Sequence, residues 1–209
     1  MKEKRRAIYR LVTLAAILAG ATTSVLVAKQ ATLTDIDSNS YNTVAVGNRI
    51  WAQENLNVSR YRNGDAIPQA KTLQEWQAAL RKGEGAWCYY GNLQKNGQQY
   101  GKLYNWFAVN DPRGLAPSGT HIPTKQEWET LAKDLPTADN SIRFKMLPAG
   151  LRNYVDEKYS FLGEGAYFWS SSEHDENSAW YMTLNAQNKS AMLSAEEKYE
   201  GLSVRVIKD

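Results

Sequence analysis

The chain has 209 residues, a formal net charge of +3 and one cysteine. That length suits a single domain with one hydrophobic core and is short for two domains. Five basic residues and one acidic residue fall within residues 1–28, so the rest of the chain has a net charge close to −1. It lacks the excess of Lys and Arg that is typical of nucleic-acid binding, and we expect no nucleic-acid partner.

The N-terminus has the charge pattern of an export signal. Residues 1–10 are basic, and residues 11–28 form an uncharged run, LVTLAAILAGATTSVLVA. Polar residues dilute this run, which favours a signal peptide at residues 1–28 that is cleaved after Ala28. The run is also near the lower length limit of a membrane-spanning helix, so an uncleaved anchor through residues 7–28 is the alternative.

The next residues indicate a linker and then a β-hairpin. Residues 29–41 are small and polar, so we place the domain at residues 42–209. Apolar and polar residues then alternate around a Gly-Asn pair, as in a hairpin. The apolar positions of this hairpin are Val44, Val46, Ile50 and Trp51.

Two helices are predicted by the same local signal. Each begins with Thr followed three residues later by Glu, at Thr72 and at Thr124. This spacing is the capping box, in which the two residues satisfy each other's free backbone N–H groups. Behind the second box, Trp128, Leu131 and Leu135 recur at helical spacing.

The remainder of the chain predicts strands. Short aromatic runs broken by Gly, Asn and Ser are typical of antiparallel strands and their loops. The order of hairpin, two helices and then several strands predicts an α+β domain in which the helices pack on a twisted antiparallel sheet with long loops.

These segments resemble the Fibrobacter succinogenes major paralogous domain, which is found in exported proteins of Bacteroidetes and their relatives. The resemblance spans residues 46–209, about four fifths of the chain. It is carried by VGNRIWAQENLNVSRYRNGDAIP at 46–68, GAWCYYGN at 85–92, YGKLYNWFAVNDPRGLAPSGTHIPTKQEW at 100–128, YFWSSSE at 167–173 and GLSVRVIKD at 201–209.

The resemblance implies a C-type-lectin-like fold, related to formylglycine-generating enzymes, with GLSVRV as its closing strand. Members of the family commonly have Cys where this chain has Val206 and Trp where it has Thr120. Cys88 therefore has no partner for the family's disulfide, and we expect it to be a small buried hydrophobic residue. The cysteine pair that formylglycine-generating enzymes use for copper and oxygen chemistry is also lacking.

We expect no catalytic residues and no enzyme activity. The two histidines, His121 and His174, do not stand in a metal-ligand spacing. Ser170, Ser171 and Ser172 lie beside His174 and Asp175, but residues this close in sequence seldom form a triad, and no Gly-x-Ser-x-Gly motif is present.

One acidic loop is a candidate metal site. Four of its residues carry oxygen ligands of the kind that Ca²⁺ prefers: Glu173, Asp175, Glu176 and Asn177. The Glu-Pro-Asn and Trp-Asn-Asp motifs of calcium-dependent lectins are not present. The alternative interpretation is an exposed acidic loop, and we expect no other cofactor.

The candidate ligand-binding surface lies between Trp180 and Tyr199. The resemblance also implies a relation to variable ligand-binding proteins diversified by retroelements, in which this stretch presents diversified side chains on a rigid scaffold. Its candidate residues are Tyr181, Thr183, Asn185, Gln187, Asn188 and Lys189. Strand alternation places Tyr181, Thr183 and Asn185 on one face. A solvated sheet face is the alternative.

Several other residues are predicted to be structural. Trp169 and Trp180 suit the core, and Arg205 within a valine-rich strand is expected in a structural ion pair. The aromatic run at 100–107 is predicted to pack under the fold as a joint between the two helices.

Together these observations predict an exported, non-catalytic lectin-like module. Its expected ligand is a glycan or a protein of the cell envelope, and its expected location is the periplasm, the cell surface or the medium. The alternative is a structural or assembly protein of the envelope, held by an uncleaved N-terminal helix.

Overall fold

The computed structural model of the chain describes residues 32–135, 144–156, 158–185, 187–188 and 190–209. The predicted signal or anchor and the first three residues of the linker therefore lie outside the described residues. Within the described ranges, no helix is long and apolar enough to cross a membrane.

The described residues form a mixed α+β fold in which antiparallel sheets predominate. The strands are β1 Thr32–Thr34, β2 Ser40–Val46, β3 Arg49–Ala52, β4 Trp87–Cys88, β5 Leu103–Tyr104, β6 Thr120–His121, β7 Ala149–Arg152, β8 Tyr159–Leu162, β9 Gly165–Glu173, β10 Ser178–Asn185, β11 Ala191–Glu197 and β12 Ile207–Lys208. The helices are α1 Leu73–Lys82, α2 Gln94–Tyr100, α3 Trp106–Val109 and α4 Lys125–Asp134, with a 3₁₀ turn at Tyr90–Asn92.

The first sheet joins the two ends of the described chain. Its strand order is β1-β2-β3-β12-β6, and β12 pairs with β3 through Ile207 opposite Trp51. The predicted hairpin is confirmed as β2 and β3, with Val44 opposite Trp51 and Val46 opposite Arg49. Gly47 turns between them at a φ of 59°, a left-handed value that glycine adopts without strain.

The second sheet carries the longer strands. Its order is β11-β10-β9-β7-β8, and its pairs are antiparallel except for β7 with β9. A register shift between Ala179 and Tyr181 marks a bulge in β10. Bulges strengthen local twist, which suits the curled shape of this sheet.

Both capping boxes predicted from the sequence are confirmed. Thr72 accepts from the backbone of Glu75 at the start of α1, and Thr124 accepts from Glu127 at the start of α4. In each box the glutamate carboxylate accepts a hydrogen bond from the backbone N–H of the capping threonine. An N-cap of this kind stabilises a helix by about 1 kcal/mol.

The short helices α2 and α3 were not expected. Helix α2 has the sequence QKNGQQY, with glycine in its interior and no side-chain cap. Gly97 is required there because a Cβ atom would lie 2.0 Å from the ring of Tyr89. Tertiary contact therefore overrides the low helix propensity of this segment.

Helix α4 connects the two sheets through stacked aromatic rings. The Trp128 ring lies 5.1 Å from Trp51 of the first sheet and 5.5 Å from Phe168 of the second, measured between centroids. All three side chains are buried. Truncating a buried aromatic of this kind typically costs about 3–5 kcal/mol.

The aromatic run at 100–107 is a buried joint, as predicted. Leu103, Tyr104 and Trp106 are almost fully buried, and the Trp106 indole donates to the Ser170 carbonyl at 2.9 Å. Asn105 caps α3 and also accepts from the Ala86 backbone at 3.0 Å. Through these two hydrogen bonds, the run links Ala86, in the segment after α1, to Ser170 in strand β9.

The closing segment differs from the strand that the family resemblance implies. Gly201, Leu202 and Ser203 form isolated bridges to Arg152, Tyr104 and Phe168 respectively. Regular pairing begins only at Ile207. The segment Gly201–Val206 is therefore buried but is not a regular strand. Its first three residues bridge to three different strands, β7, β5 and β9.

The guanidinium of Arg205 lies in the core, and among the described residues its hydrogen-bond partners are neutral acceptors and not the carboxylate of the predicted ion pair. It is fully buried and donates twice to Asn55 Oδ1, at 2.7 and 3.2 Å. It also donates to the carbonyls of Ala52 and Phe144, at 2.9 and 3.1 Å. Burial lowers the pKa of the guanidinium. Hydrogen bonds from its Nε and both of its terminal nitrogens offset that cost.

We expect Asn55→Ala to destabilise the domain strongly. It removes the Oδ1 atom that accepts two hydrogen bonds from the buried Arg205 guanidinium and leaves a partly unsatisfied charge in the core, which costs on the order of 3 kcal/mol. Urea denaturation measures the change. Gln98→Ala, at an exposed position, is the control and should change stability by less than about 0.5 kcal/mol. Equal stability of both variants would contradict the role assigned to Asn55.

Candidate functional site

The structure places three of the predicted ligand-binding residues on one face of β10. Tyr181, Thr183 and Asn185 are partly exposed, whereas Met182 and Leu184 between them are buried against α4. This alternation follows from the two-residue period of a strand. On the opposite side of β10, Tyr181 packs partly against a second core cluster, and Tyr181 and Thr183 each keep part of their surface exposed.

Neighbouring strands extend that face with further aromatic residues. The rings of Tyr167 and Tyr181 stack at 6.3 Å with an angle of 25° between their planes. Phe161 on β8 follows at 5.7 Å from Tyr167. Trp169, the register partner of Tyr181, lies edge-on to it and is fully buried, so the core begins beside the row on the same face.

The pairing of β10 with β11 adds two residues to this surface, on the side of β10 away from β9. Ser194 on β11 stands opposite Tyr181, and Met192 stands opposite Thr183. Met192 has 61% of its surface exposed, a high value for a large apolar side chain. We call this surface the aromatic face; it consists of Phe161, Tyr167, Tyr181, Thr183, Met192 and Ser194.

Phe161 is held in a strained conformation. Its φ is +64°, a region that bulky residues rarely occupy, and 48% of its surface is exposed. Strain of this kind costs on the order of 1–3 kcal/mol and clusters at functional sites. An exposed aromatic ring held at this cost beside two other rings marks the aromatic face as a candidate site.

The remaining predicted ligand-binding residues form the turn between β10 and β11. Asn185 Oδ1 accepts from the backbone of Gln187 and of Asn188, at 2.9 and 3.0 Å. Asn188 Oδ1 accepts from Ser190 at 2.9 Å. These amide oxygens shape the turn, and Gln187 and Asn188 are exposed. Lys189 lies outside the described residues.

The acidic loop predicted as a calcium site encloses a lysine ammonium. Lys198 is buried, pairs with the carboxylate of Glu173 and donates to the Glu176 carbonyl at 2.6 Å. A hydrogen bond from the Ser178 side chain, followed by the backbone N–H groups of Asn177 and Ser178 and the His174 side chain, holds the pKa of the Asp175 carboxyl far below its usual range. Calcium at this loop stays a prediction, and the ion would have to compete with Lys198.

Ser170 and Ser172, two of the candidate nucleophiles, have hydrogen-bond partners other than His174. Ser170 is buried and donates to the Pro123 carbonyl at 3.1 Å, and Ser172 accepts from the Lys125 backbone at 3.0 Å. His174 instead contacts Asp175 and Ser178, at 2.8 and 2.9 Å.

The second histidine, His121, lies between two carboxylates. Its Nδ1 is 2.7 Å from Asp209, and its Nε2 is 3.1 Å from Glu127. Within the described ranges, no group of three or more His, Cys, Asp or Glu residues is arranged to hold a metal ion.

Trp180 and Cys88 occupy different environments. Trp180 is only partly buried, and its ring contacts His174 at 4.9 Å and lies under the Lys125 ammonium at 3.7 Å.

Cys88 is fully buried in β4 opposite Leu103. The position of Val206 is also buried, so both sites suit small apolar side chains.

Only part of the aromatic face was predicted from the sequence. Tyr181 and Thr183 follow from alternation within β10, but Phe161, Tyr167, Met192 and Ser194 belong to other strands. Their position depends on the register between strands. The aromatic residues in the runs YSFL and GAYFW could have indicated these positions, since aromatic residues on adjacent strands tend to pair when a sheet forms.

The sequence comparisons identify one family. The model of the Fibrobacter succinogenes major domain matches residues 44–139 and 133–208. The matched segments cover helices α1 to α4, the aromatic face and both sheets except for β1 and the first four residues of β2. No curated protein and no solved structure matches the chain.

We expect Cys88 to react with a thiol reagent only through unfolding. Its sulfur is buried, and labelling therefore requires an opening of the structure. Labelling kinetics at increasing urea concentration measure this, and the native protein should label at least about a hundredfold more slowly than the unfolded chain. Rapid labelling without urea would contradict the burial of Cys88.

Proposed function

We propose that this chain, which belongs to the Fibrobacter succinogenes major domain family, is an exported, non-catalytic binding module of the cell envelope. Its ligand is a glycan or a protein, and the aromatic face is the contact surface. The single observation that carries this proposal is the partly exposed row of Phe161, Tyr167 and Tyr181 on a rigid sheet.

The chemistry of the row favours a glycan. Successive ring centroids lie 5.7 and 6.3 Å apart, and the two tyrosine rings are close to parallel. Such rings offer flat apolar surfaces to the C–H faces of sugars, and their phenol groups supply hydrogen bonds at the edge. Thr183 and Ser194 add hydroxyl groups beside Tyr181. A protein ligand is the alternative, since Tyr, Phe and Met are also typical of protein interfaces.

A lectin-like fold is part of the proposal. The described architecture supports it in two respects: capped helices pack on twisted antiparallel sheets, and β12 closes the domain against the N-terminal hairpin. The binding surface then lies on strands and not on a flexible loop. Sites built on sheet strands hold their side chains in a fixed arrangement.

A binding role is favoured over catalysis by the contacts of the reactive groups. His121 is held by Asp209 and Glu127, and His174 is held by Asp175 and Ser178. The aromatic face consists of hydroxyl, thioether and aromatic side chains, which suit ligand binding, and it includes none of the His, Asp or Glu side chains that commonly act as general acids or bases. The side chains of this surface are therefore suited to binding a ligand.

The second candidate function is a structural or assembly role at the envelope. Residues 11–28 form an uncharged run that supports it, because an uncleaved run of this length anchors a domain at the membrane. In that case the aromatic face contacts a neighbouring envelope protein.

We expect the mature protein to begin at Lys29. Removal of residues 1–28 follows from the basic start, the apolar run and the small residue Ala28. Mass spectrometry of the N-terminus in fractionated cells measures this. An intact Met1 in the membrane fraction would contradict cleavage and support the anchored alternative.

We expect Tyr181→Ala and Tyr167→Ala to weaken glycan binding by at least about tenfold each. Each removes one ring of the stacked pair, and central aromatic residues dominate the affinity of binding surfaces. A glycan array with the full-length chain identifies the ligand, and calorimetry with the best oligosaccharide measures its affinity.

Leu93→Ala is the matched control for this experiment. Leu93 is a large apolar residue with 48% of its surface exposed, and it lies outside the aromatic face. Its removal should leave the affinity within about twofold, as expected for a residue outside the contact. Binding that survives both tyrosine changes would reject the aromatic face as the site.

A further inference from the structure

A cleft separate from the aromatic face lies between the turn after β1 and the loop before β6. Ile36 borders it on the side of the turn, and Pro117 and Ser118 border it on the side of the loop. The cleft has a volume of about 270 Å³, close to the lower end of the range of small-molecule sites. We call it the arginine cleft, after Arg60 and Arg62 in its lining.

Alternation along an extended segment directs both arginines into the cleft. Val58, Arg60 and Arg62 line it, whereas Tyr61, between the two arginines, is fully buried in the core. Arg60 also forms an isolated antiparallel bridge with Ala66. Side chains two residues apart in an extended chain point to the same side. One wall of the cleft therefore carries two guanidinium groups.

The buried part of the lining is apolar. Val58, Leu115 and Ala116 border the cleft and have almost no exposed surface. Ile36, at its edge, has 44% of its surface exposed, a high value for a large apolar side chain. Apolar walls around a few polar groups are typical of sites for small ligands. They also screen a charge less than water does, which strengthens its interaction with a ligand.

The guanidinium of Arg62 is held by a neutral partner. Its Nε and Nη2 donate to the Ala116 carbonyl at 3.1 and 2.9 Å, and the Arg62 backbone N–H donates to the Gly114 carbonyl at 2.8 Å. These bonds use two of the five N–H groups of the guanidinium. In the part of the chain that the structure describes, no carboxylate pairs with Arg62. The group is therefore fixed in position and keeps donors for a ligand.

The carboxylates beside the cleft already have partners. Asp35 is buried and accepts from the Asp37 backbone at 2.9 Å and from the Tyr41 hydroxyl at 2.6 Å. Asp37 pairs with Nε of Arg60 at 2.8 Å. Arg62 is thus the positive charge in the lining that the described residues leave without a counterion.

These features suit an acidic sugar. A guanidinium matches the planar geometry of a carboxylate, and hydrogen bonds between the two are charge-assisted. Thr34 and Ser118 are exposed at the edge of the cleft, and their hydroxyl groups both donate and accept, as the hydroxyl groups of a sugar require. The apolar walls suit the C–H groups of the sugar ring.

We propose that the arginine cleft binds a uronic acid residue of an acidic glycan. Arg62 pairs with the carboxylate of the sugar, and Arg60 adds a second positive charge. Thr34 and Ser118 contact the ring hydroxyl groups. This function goes beyond the proposed binding module, because the aromatic face carries no cation and shares no residue with the cleft.

Glucuronate and glucuronamide are matched probes for calorimetry with the full-length chain. They share the sugar ring and differ in the charge of one substituent. We expect glucuronate to bind at least about tenfold more tightly, since only its carboxylate forms charge-assisted hydrogen bonds with Arg62. Equal affinity of the two probes, or no binding of glucuronate, would overturn the proposal.

Arg62→Gln tests the residue assigned to the carboxylate. It removes the positive charge, and we expect it to weaken glucuronate binding about tenfold. Arg81→Gln removes an exposed arginine of α1 that does not line the cleft, so it is the charge-matched control. The control should leave the affinity within about twofold. Equal affinities of the two variants would contradict the assignment.

Ser118→Trp tests the cleft without a change at Arg62, which also holds the Ala116 loop. Ser118 is exposed in a turn, so a larger side chain there does not enter the core. The indole should obstruct the cleft and weaken glucuronate binding at least about fivefold, because a steric clash opposes the ligand. Unchanged affinity would place glucuronate outside the cleft and overturn the proposal.

Ionic strength supplies a readout that a purely structural role of Arg62 does not move. Salt screens a solvent-accessible ion pair, so glucuronate affinity should fall at least about twofold between about 0.01 M and about 0.15 M salt. Arg62→Gln should reduce this dependence. An affinity that does not change with salt would contradict pairing of the sugar with Arg62.

Two further probes test the class of ligand. Inorganic phosphate offers a different anion, and Nα-acetyl-glutamic acid methylamide offers the carboxylate of a peptide. Tighter binding of either probe than of glucuronate would overturn the assignment to a uronic acid. Tyr181→Ala leaves the arginine cleft intact, so it should not change glucuronate affinity. Failure at the aromatic face and failure at this cleft are thus distinguishable in the same set of proteins.

Discussion

The structure depends on one buried cation, the guanidinium of Arg205. It connects the segment after β3 to the residues before β7 through Asn55 and the carbonyls of Ala52 and Phe144. The faces of Phe144 and Phe168 lie 4.7 and 5.1 Å from it. Asn55 in turn donates to the Tyr100 carbonyl at 2.9 Å. Segments distant in sequence therefore meet at one polar group, and a network that is fully satisfied in this way favours a single packed arrangement.

That arrangement explains why one sheet face is only partly covered. Helix α4 covers one side of the second sheet, and the segment Gly201–Val206 lies on the other. Tyr167 and Tyr181 pack against the core to which this segment belongs, and each keeps part of its surface exposed. Because rigid strands carry Tyr167 and Tyr181, a ligand meets rings already in position and loses less entropy in binding.

Local signals predicted the elements that depend on local chemistry. Thr72 and Thr124 with their glutamates defined both long helices, and the Gly-Asn pair defined the first hairpin. Helix α2 was missed because Gly97 is required by contact with Tyr89, a tertiary effect. Phe161 and Tyr167 joined Tyr181 only through strand register, and Lys198 reached the acidic loop from 25 residues away. Long-range pairings of this kind leave little trace in a single sequence.

The central claim is that a ligand stacks on the aromatic face of a scaffold that does not rearrange. Two-dimensional NMR of the aromatic ring protons, recorded while the best oligosaccharide from the array is added, tests it most directly. We predict shifts confined to Phe161, Tyr167, Tyr181 and their neighbours, with the core rings of Trp51 and Trp128 unchanged. Shifts centred on the first sheet, or spread through the core, would contradict the account.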